Sequence, residues 1–592
     1  MKIILVLFMF GYLSLISGST LVVDNTPSSG WFGSYSCEAS FWPDNPYSTI
    51  QAAVNDASNN DTIKICKGDY DESVTVNNKD TLTITNGADA SSPSDVNWYN
   101  NGDGTLNIDG NTKNLTVKNV SIKSTQTNEN YKDIHIKSAR GTLTLQNLIV
   151  DTPNGATAIY GEWGVNANLK GVFKDLKITT KANGIYLNKG ALQTFDNCNF
   201  TLLGNAASNY GIYLGNSIKD KKHSFKNLHF TLKSQPAILL KHGSKMTFDT
   251  ISISTDGYGS NTKAIELDWG VTQDDLTFNH IGISLDGGIG ISIRKAKNIT
   301  VDDVNISGST NQAFFSDSSV SDNLNFTNIN LHATSGYALQ IENGTNVSID
   351  TADIDGTNGN NGAIFLDWGV VGDYDFKNIN LSTHSGGINI KKGNKVTFDT
   401  VTIFSDSSSA NDKGIVFDNN NFQKMTFTNL DVNTSGDGLK ITGSSDLTVD
   451  SSKLTTRGDH AIDIGSNVTK MYLKNSCFHN DSNGGNSYAI YINNWNSDLH
   501  VNNNCLFAQN GGNYARDAAV HDWDGNYWDG VSDANGDGKI SRDDTIKIST
   551  NIVDNNPLSS CQQHCYYNGS VNKVKSQQIR QTGFYCLKRQ PV

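Results

Sequence analysis

The chain has 592 residues, a net charge of -13 and only 18% charged side chains. This balance argues against nucleic acid as a partner, because phosphate contacts need clustered Lys and Arg. The negative net charge also argues against an acidic polymer as a partner, but less strongly. Asn, Asp, Ser, Thr and Gly fill the gaps between short apolar runs, which is typical of many short strands joined by turns.

The N-terminus consists of Met1 and Lys2 followed by an apolar run that ends in small residues near Ser17 to Ser19. This pattern predicts a cleaved signal peptide over residues 1–19 and therefore a secreted or cell-envelope protein. An uncleaved anchor is the alternative, but the apolar run falls short of the ~20 residues that span a bilayer. After cleavage we expect no transmembrane span.

Residues 20–104 are predicted to form an N-terminal cap and the first coils of the fold. The segment YSTIQAAVNDASNNDTIKICKGDYDESVTV predicts an amphipathic helix with Ser48 as its N-cap, followed by strands. Eight cysteines in an exported chain favour disulfides over metal sites. We expect Cys37 and Cys66 to bridge this region.

A repeat runs through residues 105–530, in which a small residue precedes alternating apolar positions. Successive copies are 23 to 28 residues apart, and each unit has a second alternating segment such as LTFNHIGIS or LNFTNINLH. The small anchors are Ala158, Gly184, Gly211, Ala237, Ala264, Gly290, Ala313, Ala338, Ala363, Gly387, Gly414, Gly438, Ala461 and Ala489. No helical period fits these steps.

One such unit cannot bury its own apolar face, whereas stacked units can, with each strand pairing in parallel to its copy one coil along. The sequence therefore predicts an all-β fold, a single-stranded right-handed parallel β-helix of roughly sixteen coils, about 75 Å long at ~4.8 Å per strand spacing. The N-terminal helix would cover one of its open ends.

Three coils carry an acidic residue, Trp and Gly directly after the repeat's strand. These triplets begin at Glu162, Asp268 and Asp367, which are 106 and 99 residues apart, or four coils each time. Equivalent positions in a solenoid share one face, so Trp163, Trp269 and Trp368 should form a row, with a looser echo at Trp495. Indole faces pack on sugar rings while carboxylates accept hydroxyl hydrogen bonds, which favours carbohydrate binding. Alternatively, each Trp closes a turn and the acid caps it.

A second row carries cations at the ends of other strands. Its members are Lys189, Lys241 with His242, Arg294 with Lys295, and Lys391 with Lys392. Such a row would suit anionic sugars. The alternative is that these basic residues only keep the surface soluble.

A catalytic centre for glycan cleavage needs paired carboxylates near a base or cation. Asp302 and Asp303 with Arg294 are the candidates, on neighbouring strand segments. Short acidic pairs also arise by chance in this composition, so the pair can equally be structural.

Residues 531–558 form a predicted closing segment with a calcium loop. Asp533, Asn535 and Asp537 occupy positions 1, 3 and 5 of the loop, the Lys539 carbonyl position 7 and Asp544 position 12. This is the oxygen-ligand spacing of a Ca²⁺ loop, with Asp in place of the usual Glu.

The remaining cysteines divide into three groups. Cys477 and Cys505 are 28 residues apart, about one coil, so they could stack and pair. Cys198 lies inside a strand-like segment and is predicted to be a buried free thiol. The tail 559–592 contains three more cysteines, whose pairing the sequence leaves open.

Two segments resemble known families. The TIQAAV, DTI and GDYDESV pattern resembles the first coil of the pectin-lyase-like superfamily. The run GNYWDG, the Asp-rich loop and VDNNPL resemble the closing segment of NosD-like β-helix proteins, which include carbohydrate-binding and sugar-hydrolysis repeats. The resemblance implies the fold and an exported location.

Two functions of different class follow. In the first, the rod binds a polysaccharide or cell-surface glycan, or is an adhesive or structural surface element, which the regular repeat and the Trp row favour. In the second, it is a calcium-assisted polysaccharide lyase or glycoside hydrolase, which the superfamily resemblance favours. The polygalacturonase motifs are absent as a set, so we prefer the first.

Overall fold

The computed structural model describes most of residues 18–561. The signal-peptide prediction therefore lies almost wholly outside the described residues, as do Asp544 and the tail after Cys561. Inside the described range, the segments left out are 26–27, 31–32, 36, 38–45, 129, 219–221, 257–261, 272–274, 309–310, 357–361, 410, 419–421, 484, 496–497, 511, 520, 544–547 and 550–551.

The described residues wind into a parallel β-solenoid of about 18 turns, with 61% strand and 2% helix. Each strand pairs in parallel with its copy one turn later, so the predicted fold class is confirmed. The turn count slightly exceeds the predicted sixteen, because the strand Thr20–Val23 already pairs with Thr62–Ile65, and that strand with Thr83–Asn86.

Each turn contributes strands to three stacks, which we call first, second and third in chain order. The first stack contains Thr20–Val23, Thr62–Ile65, Thr83–Asn86, Thr112–Lys118, Ala139–Gln146, Lys170–Lys174, Gln193–Leu202, Lys222–Leu232, Leu276–Leu285, Ile299–Gly308, Asn323–Ala333, Asn346–Gly356, Asp373–Thr383, Lys395–Ser405, Lys424–Thr434, Leu447–Asp450, Met471–Lys474, Leu499–Asn502, Asp522–Asp524 and Val553–Asp554. The longer of these strands continue into the second stack, whose separate strands are Gly68–Asp71, Val96–Tyr99, Ser121–Lys123, Ile149–Thr152, Lys177–Thr180, Lys453–Thr456, Cys477–Asn480, Cys505–Ala508 and Tyr527–Trp528.

The third stack carries the Ile- and Leu-rich strands that follow the small anchors. It contains Val74–Asn77, Leu106–Asp109, Lys132–Ile136, Thr157–Gly161, Ile185–Gly190, Ile212–Ile218, Lys263–Val271, Ile289–Ala296, Gln312–Val320, Leu339–Gly344, Ile364–Val370, Ile388–Ile390, Ile415–Phe417, Leu439–Ser444, Ile462–Val468, Tyr488–Ile492 and Asn513–Asp517. The strand Ile238–Thr255 runs through the third stack and on into the next turn's first stack. Short antiparallel pairs join Ser28–Gly30 to Gly33–Tyr35, and Ile540–Ser541 to Val553–Asp554.

The bend between the first and second stacks is made by one residue in the left-handed conformation. Asn is favoured there because its short polar side chain tolerates positive φ. The aligned positions are Asn119, Asn147, Asp175, Asn197, Asn227, Thr250, His280, Asp303, Asn328, Thr351, Asn378, Thr400, Asn429, Ser451, Asn475 and Asn503. Side-chain amides bond along this ladder, for example from Asn147 to Asn119 at 2.8 Å.

The core is a continuous column of inward-facing side chains. Phe195, Phe225, Phe248 and Phe278 stack in four successive turns, with ring centroids 4.8–5.2 Å apart and ring planes within about 11° of parallel. All four rings are fully buried. Because parallel strands stack in register, identical residues in successive turns come into direct contact, and this packing stabilises the rod.

The small anchors mark a close approach between successive turns. A Cβ at Gly184 would lie 2.5 Å from the backbone oxygen of Gly211, and a Cβ at Gly211 equally close to that of Ala237. A larger side chain would collide with the backbone of the next turn. This contact explains the Gly at these two anchors.

The helix Ile50–Asp56 lies near the N-terminal end and buries Ile50, Ala53 and Val54. Its N-cap is Thr49, whose side chain accepts a hydrogen bond from Ala52, so the predicted cap at Ser48 is wrong by one residue. The carboxylate of Glu72 accepts from the first two helical N–H groups. The other helix is a 3₁₀ turn, Pro93–Asp95. Neither described helix is long and apolar enough to cross a bilayer.

The disulfide Cys37–Cys66 is present, which confirms the predicted bridge. Cys477 and Cys505 are direct neighbours in adjacent turns, as expected, but Cys505 is bonded to Cys561. A sulfur makes one such bond, so the predicted Cys477–Cys505 pair is wrong. Three sulfurs converge there, within 4.8 Å of one another, because Cys561 returns to the end of the rod. Cys198 is a buried free thiol, as predicted, and burial raises its pKa to about 12.

Candidate functional site

Exposed tryptophans line the end of the third stack. The exposed fraction is 56% for Trp163, 47% for Trp269 and 54% for Trp368, and it reaches 76% for Trp495. The other described tryptophans, Trp98, Trp523 and Trp528, are buried. Strand pairing places four turns between each of the first three, so they repeat about every 19 Å along one edge of the rod. We call Trp163, Trp269 and Trp368 the tryptophan row.

Trp269 and Trp368 project because each lies in a β-bulge. Leu240 pairs with Leu267 and His242 with Gly270, so two residues, Asp268 and Trp269, face the single Lys241 of the preceding turn. In the same way, Asp367 and Trp368 face the single Glu342 of the preceding turn. A bulge re-aims the side chain of the extra residue, here outward into solvent.

The Gly that ends each triplet is required by a close backbone approach. A Cβ at Gly270 would lie 2.2 Å from the Lys241 backbone oxygen, and one at Gly369 would lie 2.4 Å from that of Glu342. Gly164 stands in the same relation to Lys137, at 2.6 Å. Gly therefore fits a close backbone approach in all three triplets, and a bulge accompanies it at Trp269 and Trp368.

The acid of each triplet has a structural partner. Asp268 and Asp367 each accept a hydrogen bond, at 2.8 Å, from the backbone N–H of the Trp that follows. Glu162 instead bonds Nε2 of His135 at 2.6 Å. Two of the three acids thus bond the Trp backbone as the alternative predicted, but Trp269 and Trp368 lie in bulged strands and do not close turns. The indole rings remain exposed.

The central triplet belongs to a network of charges. Lys241 donates a hydrogen bond to Asp268, and Nε of Arg294 lies 3.4 Å from Glu266 and 3.7 Å from Asp268. Burial has the largest single effect and would raise the pKa of Asp268. The hydrogen bonds from Lys241 and from the Trp269 N–H, together with the charges of Lys241 and Arg294, outweigh it and hold the pKa below the ordinary value. The carboxylate therefore stays ionised beside Trp269.

Further aromatic rings lie on the outer face of the third stack. Tyr160, Tyr186 and Tyr213 stack in successive turns with centroids 5.4 and 4.1 Å apart, and Tyr337 stacks on Phe365 at 4.7 Å. We did not predict this face, although the repeated Ile-Tyr pair after the anchors was a usable signal.

The residues of the predicted cation row differ in their surroundings. Lys241, Arg294 and Lys391 are paired with carboxylates, Lys391 with Asp418. Lys189 instead lines a cleft. Three of the seven residues in the row therefore neutralise neighbouring acids.

The candidate catalytic residues are not brought together. Arg294 lies in the third stack and contacts Glu266, Asp268 and Trp269, whereas Asp302 and Asp303 lie in the strand Ile299–Gly308 of the first stack. One corner of the solenoid separates Arg294 from that strand. The Arg294 side chain instead points to the carboxylates of Glu266 and Asp268 in the preceding turn.

Asp302 and Asp303 occupy ordinary positions of the repeat. Asp303 is the left-handed bend residue, with φ 51°, and Asp302 accepts hydrogen bonds from Thr327 and Asn328 of the next turn. These bonds lower the pKa of Asp302. Asp196, Asp350, Asp399 and Asp450 bond an Asn of the next turn in the same way. The pair therefore has the structural role that the alternative predicted.

The predicted calcium ligands Asp533, Asn535, Asp537 and Lys539 lie on one exposed loop. The Asp533 carboxylate accepts from the backbone N–H groups of Gly536, Asp537 and Gly538, which folds the loop around it. Gly536 and Gly538 have positive φ, as a sharp turn needs. Ile540 is buried and anchors the loop to the rod. Hard oxygen donors of this kind fit Ca²⁺.

The fold and the row define a parallel β-solenoid with a periodic, exposed aromatic edge. No protein-family model matches the sequence, and no curated protein is similar to it at a significant level. The resemblances to pectin-lyase-like and NosD-like proteins therefore stay predictions.

Proposed function

We propose that this protein is a secreted or cell-surface rod that binds a polysaccharide along the tryptophan row, and so acts as an adhesive or structural surface element. The observation that carries the proposal is the regular exposure of Trp163, Trp269 and Trp368 on one edge, beside carboxylates. Exposed aromatic rings at fixed spacing suit a long chain of repeating sugars better than one small ligand.

Several observations support this proposal over a catalytic one. The row repeats every four turns, so each ring could engage an equivalent stretch of the same polymer, and weak contacts would add through multivalency. The carboxylate of Asp367 is held in place by a backbone hydrogen bond and can accept further hydrogen bonds from sugar hydroxyls, whereas Asp268 is already paired with Lys241. Asp302 and Asp303, by contrast, form a hydrogen bond and a bend that recur in other turns of the repeat.

The export proposal rests on the N-terminal apolar run and is supported by two disulfides, which persist in oxidising compartments. The same proposal assigns Ca²⁺ to the loop Asp533 to Lys539. That ion would hold the closing segment against the end of the rod, since the loop lies beside the bridge between Ile540 and Asp554.

The test incubates the purified mature chain with immobilised neutral and acidic polysaccharides, with and without Ca²⁺, and measures retention and released sugar products together. We expect retention without products, and a loss of about tenfold or more in the double variant Trp269→Ala, Trp368→Ala. Tyr472→Ala is the matched control, because Tyr472 is a partly exposed ring on the first stack, away from the row. Unchanged retention in the Trp variant would refute the proposal, and released products would favour the lyase or hydrolase alternative.

A further inference from the structure

The chain passes from the third stack into the first at one corner of every turn, and four successive passages each carry a cation. These cations are Arg140, Lys170, Lys189 and Lys222, of which Lys170 begins and Lys189 ends the same turn, and they line two neighbouring clefts. We call these four residues the basic corner. Three strand spacings separate the first turn from the last, or about 14 Å along the rod.

Both clefts are open to solvent, and no acidic residue lines either of them; the first is mainly polar, whereas the second is mainly apolar. One has a volume of about 300 Å³ and is lined by Arg140, Lys189, Asn111 and Asn166 together with backbone of Gly110 and Gly164. The second, of about 400 Å³, is lined by Asn168, Lys170 and Lys222 beside Ala191 and Leu192. Amide side chains next to cations offer hydrogen-bond donors and no repulsive charge to an anion.

The cations of the basic corner have no carboxylate partner among the described residues. The Nε of Arg140 is buried and has no hydrogen-bond acceptor, an arrangement that costs free energy unless a ligand supplies one. Farther along the same corner, Lys241, Arg294 and Lys391 are each paired with an acid. In a chain of net charge -13, the basic corner thus keeps a local positive field.

The basic corner adjoins the tryptophan row. Gly164, which lines the first cleft, directly follows Trp163 in the chain, and Trp163 is more than half exposed. A sugar ring packed on this indole would bring its substituents toward Arg140 and Lys189.

We infer that the basic corner binds the anionic groups of an acidic polysaccharide, carboxylates or sulfate esters, while Trp163 packs on its sugar rings. This inference rests on the proposed function and names the chemical class of its ligand at one end of the row. The guanidinium of Arg140 pairs with two oxygens of such a group, and the lysines act as point charges on the next groups along the chain.

The experiment measures retention on surfaces coated with a sulfated, a uronate-containing or a neutral polysaccharide. The proteins are the wild-type chain, Arg140→Gln with Lys189→Gln, and the control Lys395→Gln with Lys424→Gln. The control removes the same charge from two exposed lysines that pair in register ten turns farther along and line neither cleft. Lys170→Gln with Lys222→Gln is a second test variant, because both side chains are exposed and their loss leaves the core intact.

We expect both test variants to lose about tenfold or more in retention on an acidic surface, with the control and the neutral surface unaffected. The wild-type retention should fall steeply as salt rises, because exposed charges are screened. Loss on only the sulfated or only the uronate surface would identify the anionic group. Equal loss in the control, or no preference for an acidic surface, would overturn the inference.

The same data separate this inference from the proposed function. Retention on the neutral polysaccharide that depends on Trp269 and Trp368, together with no preference for an acidic polysaccharide, would support the proposed function of the tryptophan row and refute the inference about the basic corner. Retention on an acidic polysaccharide that depends on Arg140 and Lys189 but not on the tryptophans would support the basic corner and refute the proposed function of the tryptophan row.

Discussion

The guanidinium carbon of Arg294 lies 5.9 Å from the centroid of the Trp269 ring, one turn back along the rod. The same side chain reaches Glu266 and Asp268, so the cation holds the indole against the charged network. An exposed tryptophan is thereby ordered before any ligand arrives, which lowers the entropy cost of binding.

Arg294→Lys keeps the charge but loses the planar contact with the indole. We expect it to weaken glycan retention two- to fivefold, since a cation–π contact at an exposed site contributes about 0.5–1 kcal/mol. The measurement is a double-mutant cycle with Trp269→Ala. The Lys substitution should have no further effect once the indole is gone, and equal effects in both backgrounds would show that Arg294 acts independently of Trp269.

Asp303→Asn should leave the free energy of unfolding unchanged or raise it, because Asn is the commonest residue at this bend. Asp303→Val should lower it by about 1–3 kcal/mol, since a β-branched residue is strained at positive φ. Urea unfolding of both variants tests this. Under the catalytic alternative, Asp303→Asn would instead abolish any glycan cleavage while leaving stability intact.

Phe248→Ala opens a cavity between two stacked rings, since Phe225 and Phe278 each lie 4.8 Å away. We expect a loss of about 3–5 kcal/mol, the usual cost of removing a buried aromatic side chain. Chemical denaturation followed by circular dichroism measures it. Trp269→Ala serves as the exposed counterpart and should change stability by no more than about 0.5 kcal/mol.

His223 makes stability depend on pH. Burial lowers its pKa to about 4, and its Nδ1 accepts a hydrogen bond from the backbone N–H of Gln193, which requires that nitrogen to be unprotonated. A lowered folded-state pKa means that the unfolded chain binds the proton more tightly. The contribution of His223 is therefore complete above about pH 6.5 and is lost as the pH falls toward 4, by about 3 kcal/mol in all.

The check is to compare wild type with His223→Asn, which retains an acceptor but does not titrate in this range. Between pH 7 and pH 4 the variant should lose less stability in urea than the wild type. Parallel curves for the two proteins would contradict the assignment.

Removal of the loop carboxylates by Asp533→Ala with Asp537→Ala should abolish Ca²⁺ binding measured by isothermal titration calorimetry. With the wild type, adding Ca²⁺ should raise the thermal midpoint, because a ligand that binds only the folded state stabilises it. Asp543→Asn is the control, because Asp543 is an exposed acid at position 11 of the loop, which is not a ligand position. Binding that survives in the double variant would place the ion elsewhere.

Much of the architecture was predictable from particular residues. The small anchors, the alternating strands and the Asn-rich bends specify a solenoid, because each feature recurs at the length of one turn. The acidic-Trp-Gly triplets predicted an aligned row, and strand pairing confirms that alignment. The prediction that Arg294 and Asp302 form one site was wrong. The two residues are close in the sequence, but a corner of the solenoid places them in different stacks.

The sequence by itself determined the repeat, the inward and outward alternation of side chains, the Cys37–Cys66 bridge and the positions of the exposed tryptophans. The tertiary structure alone decided which charges of successive turns meet, that Cys505 bonds Cys561, and that Arg140 and Lys189 share a cleft. The physical reason is that a period sets where a residue lies within its turn, whereas single-residue bulges and the course of the corners set which side chains of neighbouring turns come into contact.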